Sequence, residues 1–370
     1  MNNIKKLIRF ILIYGIARTL FKVFGRLRIN FIKLPSFKIK DVGLIGCGQF
    51  GFATIGFFIS KKSKHTFIRA YDVDKKNQQS FENFYLIKKE TASFMSIIND
   101  IEVNYVYIAS NHFSHTEYAL SAIKNNKIVY IEKPISVNYQ QFKSLVNSIK
   151  KNNAEIYAGY NRPFSKAVLD LKKNINNFPN KPFSLSYFIS GHLLESEHWY
   201  RDVQEGTRIC GNVGHWLDLT VHILTWRKLP NSLNISISYS DLNEIDDNIS
   251  ITITTEYNDI ISIMLTSRSE PFEGINETIN IQYNNTIAKI DDFRKMIIWQ
   301  DEKLIKKSYW PKDVGHYKAI LQPFNTDKYK RNWSEVENST LLMLFITDMV
   351  SNKEANKKFK FDKEWEELNK

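Results

Sequence analysis

Glycines 46, 48 and 51 stand in the run Gly46-Cys47-Gly48-Gln49-Phe50-Gly51, a spacing suited to holding a diphosphate. The first permits a sharp turn, the second leaves no side chain beneath a pyrophosphate, and the third lets the next helix approach the preceding strand. Amides at that helix start then face phosphate charge. Asp72 closes a second apolar run, Phe67-Ile-Arg-Ala-Tyr-Asp72, where a carboxylate accepts hydrogen bonds from the adenosine ribose and repels a ribose phosphate. NAD is therefore favoured over NADP, with an ordinary turn-forming Asp72 or Asp74 as the structural alternative. Ser110, Asn111, His112 and His115 follow a third apolar run and suit either cofactor contact or capping of a helix that begins near His115. Glu132 and Lys133 follow a fourth run, Ile128 to Ile131; by residue type alone they read as an exposed charge pair.

These groups need a scaffold that gathers strand ends. Ile39 to Ile45, Phe67 to Asp72, Val103 to Ala109, Ile128 to Ile131 and the short Ile156-Tyr157-Ala158 alternate with loops and helical segments, which predicts a parallel sheet. Beyond the boundary near Gly159, the β-branched runs 183–189, 232–240, 249–256, 260–266, 275–283 and 286–290 predict antiparallel strands. Helices are expected over 211–226 and about 337–351. The fold class is α/β: an N-terminal Rossmann NAD-binding domain over 39–160, then an α/β domain with a large open, mainly antiparallel sheet over 161–370. Its last helix is a candidate to pack back on the first domain. One sheet face suits a homo-oligomer, and an internal core explains the same alternation.

At 370 residues and 43% hydrophobic, the chain has material for two domains. Cys47 and Cys210 are too few for a disulfide framework and read as cytosolic thiols. No CxxC, HExxH or calcium-loop spacing occurs, so no metal is expected. The charge is concentrated: residues 1–40 carry six Lys and four Arg with no acid, +10 of the formal +12. Their apolar stretch, Leu7 to Ala17 interrupted by Arg9, is shorter than the roughly 20 residues a membrane span needs, and no small-residue cleavage site marks a secretory signal. Three readings of a basic arm over 1–38 stay open. Residues 1–36 can lie as an amphipathic helix on an anionic membrane surface, dock on a partner or second subunit, or pack as an extension of the body. No nucleic acid is expected, because no recognition module accompanies the arm.

Gly46 to Gly51, Glu132-Lys133-Pro134, Gly159-Tyr160-Asn161-Arg162-Pro163-Phe164-Ser165 and Gly211-Asn212-Val213-Gly214-His215-Trp216-Leu217-Asp218, in this order, resemble the glucose-fructose oxidoreductase, inositol dehydrogenase and rhizopine-catabolism family, often called Gfo/Idh/MocA, over about 39–350. The resemblance implies that Lys133 lies near the nicotinamide and the reacting hydroxyl, where an ammonium orients the hydroxyl or stabilises developing alkoxide charge, with Glu132 in support or contact. It implies that His215 exchanges the hydroxyl proton and that Asp218 matches an acidic position after it. Many relatives carry Asp four residues before this histidine; here Gly211 stands there, so that pairing is incomplete. Asn212 is no general base, although it can bind substrate or orient a water. Asn161 and Arg162 are carried over as substrate contacts. Leu194-Glu-Ser-Glu-His198-Trp199 matches an IPxxHW segment of closer relatives, which implies that His198, Trp199 and Arg201 meet a polar ligand, with core packing as the alternative for Trp199. His222 reads as a core residue, Arg294 as a local partner of Asp291 and Asp292, and 310–329 as an irregular loop.

The expected activity is NAD-dependent oxidation of a sugar-derivative hydroxyl or reduction of the ketone, the resemblance suiting a nucleotide sugar of surface-polysaccharide synthesis. Two alternatives stand beside it: a transient-redox sugar lyase or group-exchange enzyme, and a non-enzymatic NAD-binding scaffold of a membrane or complex. The expected location is cytoplasmic, with peripheral attachment to the inner membrane face through the arm.

Overall fold

The computed structural model describes residues 2–29, 31–175, 181–240, 244–271, 274–325 and 329–370. They form two compact units: residues 14–160 with 316–331, and residues up to 13 with 161–315 and 332–370. Two helices open the chain, α1 (Asn2–Tyr14) and α2 (Ile16–Leu27), and the division falls at the end of α1.

The first unit is built on β1 (Ile39–Ile45), β2 (His65–Tyr71), β3 (Tyr105–Ile108), β4 (Ile128–Ile131) and β5 (Ile156–Ala158), parallel and in the order β2-β1-β3-β4-β5. Their near-continuous apolar content fits a sheet covered on both faces. Helices α3 (Gly56–Lys62), α4 (Lys75–Tyr85), α5 (Phe94–Ile98), α6 (His115–Lys124) and α7 (Tyr139–Asn152) make the connections. Strand order reverses between β1 and β3, so the loops after these two strands flank a topological switch point, the place where such sheets bind ligands.

Helix α2 belongs to this unit, and its placement departs from a lipid-facing arm. Thr19, Phe21 and Gly25 are buried, and the Phe21 ring meets Phe57 and Phe84 edge-on at 5.0 and 5.5 Å. Cations turn inward too: Arg18 donates to the Ala53 carbonyl and lies 4.7 Å from the Phe58 ring centroid, its pKa pushed down to about 10 by burial, and Lys38 donates to the Ser63 carbonyl at 2.7 Å. The segment 316–331 also joins this core. Tyr107 donates to the Ile320 carbonyl at 2.7 Å, Gln322 to the Ala158 carbonyl at 3.2 Å, and Phe324 stacks on His65. A chain segment read as an irregular loop is thus partly helical, α10 (His316–Ile320), and buried against the parallel sheet.

The second unit contains α8 (Lys166–Asn174), α9 (Gly214–Leu224), α11 (Trp333–Ser351) and α12 (Phe361–Asn369). Its sheet comprises β6 (Phe183–Ser190), β7 (Ser232–Tyr239), β8 (Ile249–Thr255), β9 (Ile260–Thr266), β10 (Asn276–Tyr283), β11 (Thr286–Asp291), β12 (Lys295–Gln300), β13 (Lys303–Ser308) and β14 (Asn356–Lys360). The order is β13-β12-β11-β10-β6-β9-β8-β7-β14; β6 runs parallel to β9 and every other pairing is antiparallel. Burial alternates along β6 to β12, and the outer face carries Phe188, Ile260, Met264, Ile287 and Trp299, all exposed. In the same unit α1 is tied at its end by Trp310 Nε1 donating to the Leu12 carbonyl at 2.7 Å, while Ile4, Leu7, Ile8 and Leu12 stay exposed. Helix α12 packs on α11 within this unit. Among the described residues no helix is long and apolar enough to cross a membrane, and no His, Cys, Asp and Glu group is arranged to hold a metal.

Candidate active site

The glycine turn follows β1 directly. Gly46 has φ +96°, and a Cβ there would lie 2.4 Å from the Ala109 carbonyl group, so only glycine lets this turn touch the loop after β3. At Gly51 a Cβ would lie 2.1 Å from the Gly46 carbonyl oxygen, the close approach by which the next helical turn meets the strand. Gly48 behaves differently. Nothing lies within 4 Å of where its Cβ would be, so the space over the middle of the turn is open. That open cradle, beside a helix start, fits the diphosphate of a dinucleotide. Gln49 reaches away from it, its Nε2 donating to the Lys22 carbonyl at 2.9 Å, and Phe50 packs its ring near His316.

Asp72 lies just past β2 and is almost fully buried. Its Oδ2 accepts from the Cys47 amide at 2.7 Å and its Oδ1 from the Asp74 amide at 2.8 Å. Burial raises its pKa, and these two amides act against the rise. The carboxylate therefore ties the glycine turn to the β2 turn; its remaining lone pairs are what a ribose would use.

The loops after β3 and β4 are braced by His115. The ring is buried: Nδ1 lies 2.7 Å from the Pro134 carbonyl oxygen and Nε2 3.1 Å from that of Ser110. Burial holds its pKa down to about 4, so the ring is neutral and the shorter contact takes its one N–H. Ser110 and Asn111 remain nearer the surface, each bonded to the Ser114 hydroxyl at 2.7 Å.

Glu132 is buried at the end of β4. Tyr130, two residues earlier on the same strand face, donates to Oε1 at 2.8 Å, and the Lys133 amide donates to Oε2 at 3.2 Å. Gly159 lies against it, since a Cβ there would come 2.6 Å from the carboxyl carbon. Burial pushes the Glu132 pKa up to about 7, with the Tyr130 hydroxyl and the Lys133 charge opposing. This carboxyl can hold or release a proton near neutrality directly beneath the backbone of Lys133, whose side chain is half-buried.

In the second unit a short π-helical turn (Ile209–Val213) leads into α9. From Arg208 to Leu224 every residue is buried except His215. His215 is the one partly exposed residue of this stretch; its Nδ1 is buried and its ring centroid lies 6.0 Å from that of Trp216. At Gly211, where relatives were expected to carry Asp, a Cβ would lie 2.6 Å from the Tyr200 ring, which fills that space. Asp218 is fully buried and accepts from the Ser339 hydroxyl at 2.8 Å. Asn212 Oδ1 accepts from Arg208 Nε at 3.3 Å.

Arg162 is held in a buried ion pair. Its Nε and Nη2 donate to the two oxygens of Glu277 at 2.8 and 2.9 Å, its guanidinium lies 4.5 Å from the Trp216 ring centroid, and Trp216 donates to the same Glu277 at 2.7 Å. Such a pair needs both partners to bear burial. Asn161 donates to the Val314 carbonyl at 2.6 Å, while its buried Oδ1 has no hydrogen-bond partner among the described residues. Arg201 faces its own loop and acids, donating to the Leu194 carbonyl at 2.7 Å and to Asp247 at 3.1 Å as well as to Glu244. His198 Nδ1 caps the next turn, and burial with nearby Arg201 lowers its pKa; Trp199 is half-exposed. Asp292 pairs with Lys312 at 2.5 Å. Sequence reasoning passed over Arg208, Glu277, Tyr130 and Tyr200. Only Tyr130 had a local signal, its period-of-two spacing from Glu132.

Residues 40–160 match the family described as "Oxidoreductase family, NAD-binding Rossmann fold", GFO_IDH_MocA. An oxidoreductase, P35, of Formosa agariphila is 28% identical over 135 residues, 36% of this chain and 42% of that protein. A glucose-6-phosphate 3-dehydrogenase of Bacillus subtilis is 24% identical over 190 residues, 50% of this chain and 52% of its own length. The chain thus spans about half or less of these relatives. The crystal structure of GenD2 from gentamicin A biosynthesis, in complex with NAD, superposes with a TM-score of 0.72 at 11% identity, covering 89% of this chain and 98% of that one, a likeness of fold.

Proposed function

The chain belongs to the Gfo/Idh/MocA oxidoreductase family, with NAD as cofactor, and from that premise we propose that it oxidises a hydroxyl of a sugar derivative, or reduces the ketone, with a nucleotide sugar of surface-polysaccharide synthesis as the substrate class. The observation that carries the reading is Glu132 buried under Gly159 with a pKa near 7 and Lys133 next in the chain. NAD supplies or takes the hydride when bound over Gly46 to Gly51. Lys133 orients the hydroxyl and steadies negative charge on its oxygen, and Glu132 sets the local proton balance through the Tyr130 hydrogen bond. His215, the one partly exposed residue between Arg208 and Leu224, takes or returns the hydroxyl proton. The name of the Bacillus subtilis relative supports a sugar substrate.

A panel of nucleotide sugars and sugar phosphates, read by nicotinamide absorbance and product analysis, tests this. Ketone and NADH in equal amounts are expected, with Lys133→Ala and His215→Ala each slowing hydride transfer while NAD still binds. Turnover with no net NADH would sink the dehydrogenase reading in favour of transient redox. The exposed outer face of the large sheet is read as a self-association surface, and the basic, apolar α1 as the part that meets an anionic bilayer. A monomer by sedimentation, or full recovery in the supernatant with anionic vesicles at low salt, would remove the corresponding statement.

A further inference from the structure

Helix α2 ends on the glycine turn. Arg28, its C-terminal cap, takes a left-handed backbone with φ 49° and ψ 48° and sends Nη1 to the Cys47 carbonyl oxygen at 2.9 Å. The amide of the same Cys47 donates to Asp72 at 2.7 Å. One residue of the turn is therefore held from both sides, by a carboxylate through its N–H and by a guanidinium through its C=O. The helix is fixed there at further points. Gln49 donates to the Lys22 carbonyl at 2.9 Å, Arg18 holds the Ala53 carbonyl and the Thr54 hydroxyl, and a Cβ on Gly25 would lie 2.9 Å from the Phe52 ring.

This anchoring sets the charge at the mouth of the turn. Asp72 already accepts two backbone amides, so part of its acceptor capacity is engaged. Burial lowers the Arg28 pKa while Asp72 raises it, and an arginine starts high enough to stay a cation. A carbonyl oxygen uses one donor of a planar fork and leaves the others, and phosphate is the anion that such a fork matches. Open space above Gly48 lies within the same short turn.

Resting on the reading of this turn as a dinucleotide site, we propose that Arg28 is a phosphate-binding residue of that site, delivered by the N-terminal helix. The arm is then part of the cofactor site although it precedes the stretch, 40–160, that matches the family. Its phosphate is the dinucleotide's diphosphate.

Calorimetric titration of the full-length protein with ADP, NAD+ and NADP+, and adenosine by competition, is the test, on wild type, Arg28→Met and Arg28→Lys. In Arg28→Met the ADP affinity falls about tenfold or more while that of adenosine stays within about twofold, the loss expected for one charge-assisted bidentate contact. Arg28→Lys keeps the charge without the fork and loses less, roughly threefold. Equal losses for NAD+ and NADP+ are expected, and a loss confined to NADP+ overturns the proposal. Unchanged ADP affinity in Arg28→Met with a native melting temperature, or equal losses of ADP and adenosine, overturns the proposal. If Arg28→Met does not fold, Arg28→Lys decides, with full ADP affinity overturning it. A wild type that binds neither ADP nor NAD+ removes the dinucleotide reading itself and this proposal with it.

Discussion

The polar groups of the two units are held in different ways. At the candidate site of the parallel-sheet unit the partners are mostly main-chain groups of nearby turns: Asp72 on the Cys47 and Asp74 amides, His115 on the Pro134 and Ser110 carbonyls, Glu132 on the Lys133 amide. In the large-sheet unit they are side chains far away in sequence. Arg162 is paired with Glu277, Arg208 with Asp247 and Ser267, Arg201 with Glu244 and Asp247. A site assembled from backbone survives many changes of side chain, because the fold itself presents the partners. One assembled from charges depends on each member, since removing one leaves another buried and unpaired.

The sharpest way to break this contrast is Glu277→Ala, which strands the Arg162 guanidinium and the Trp216 N–H together. A loss of about 3–5 kcal/mol is expected in denaturant unfolding, and Arg162→Met combined with Glu277→Gln should recover most of it. A loss no larger than that of an ordinary surface substitution would mean the pair is not what holds that unit.

Glu132 supplies the matching test in the parallel-sheet unit. In the fold it keeps its proton up to about pH 7, against 4.5 ordinarily, so the unfolded chain ionises first as pH rises. The associated stability is fully present below about pH 4.5, declines above it, and is lost as pH passes 7, a change of roughly 3 kcal/mol. Glu132→Gln cannot ionise; its melting temperature should hold steadier than that of wild type from pH 5 to 8, tracked by circular dichroism. Parallel pH curves for the two proteins would show that this carboxyl ionises alike in both states.

The smallest effect is expected at the rim of the charge network. Glu244 is 44% exposed, and Glu244→Gln should cost under about 1 kcal/mol and shrink further in salt, because Arg201 keeps Asp247. A salt-independent loss as large as that at Glu277 would extend the buried network out to this loop.

Strand positions in both sheets were largely legible from the chain, since apolar runs and period-two alternation report burial on two faces or one. Residues 295–308 were passed over. Lys295, Lys303, Lys306 and Lys307 dilute their alternation, and β13 is an edge strand with little buried surface. The glycine turn was legible because its requirement is local: φ +96° at Gly46 and a near-contact at Gly51 concern neighbours in sequence. The same holds for the place of Glu132 and Lys133 at a strand end. Which polar residues would be consumed inside the fold was not legible. Nothing near Arg162 announces Glu277, and nothing near His115 announces that its ring bridges two loops.

By itself the sequence determined what depends on a residue and its near neighbours: the α/β class, the parallel and mainly antiparallel sheets, the phosphate-type turn, and a strongly basic first 40 residues. Tertiary structure decided where those cations go. Arg18, Arg28 and Lys38 are directed at backbone carbonyls of the first unit and not at solvent or lipid, and Arg28 comes to rest on the glycine turn. It also decided that 316–331 returns to the parallel sheet and that Tyr200 fills the space at Gly211. The reason is physical. Hydrogen-bonding types and hydrophobic period are properties of short segments, whereas the partner of a long charged side chain is set by whichever carbonyl or carboxylate the packing brings within about 3 Å of it.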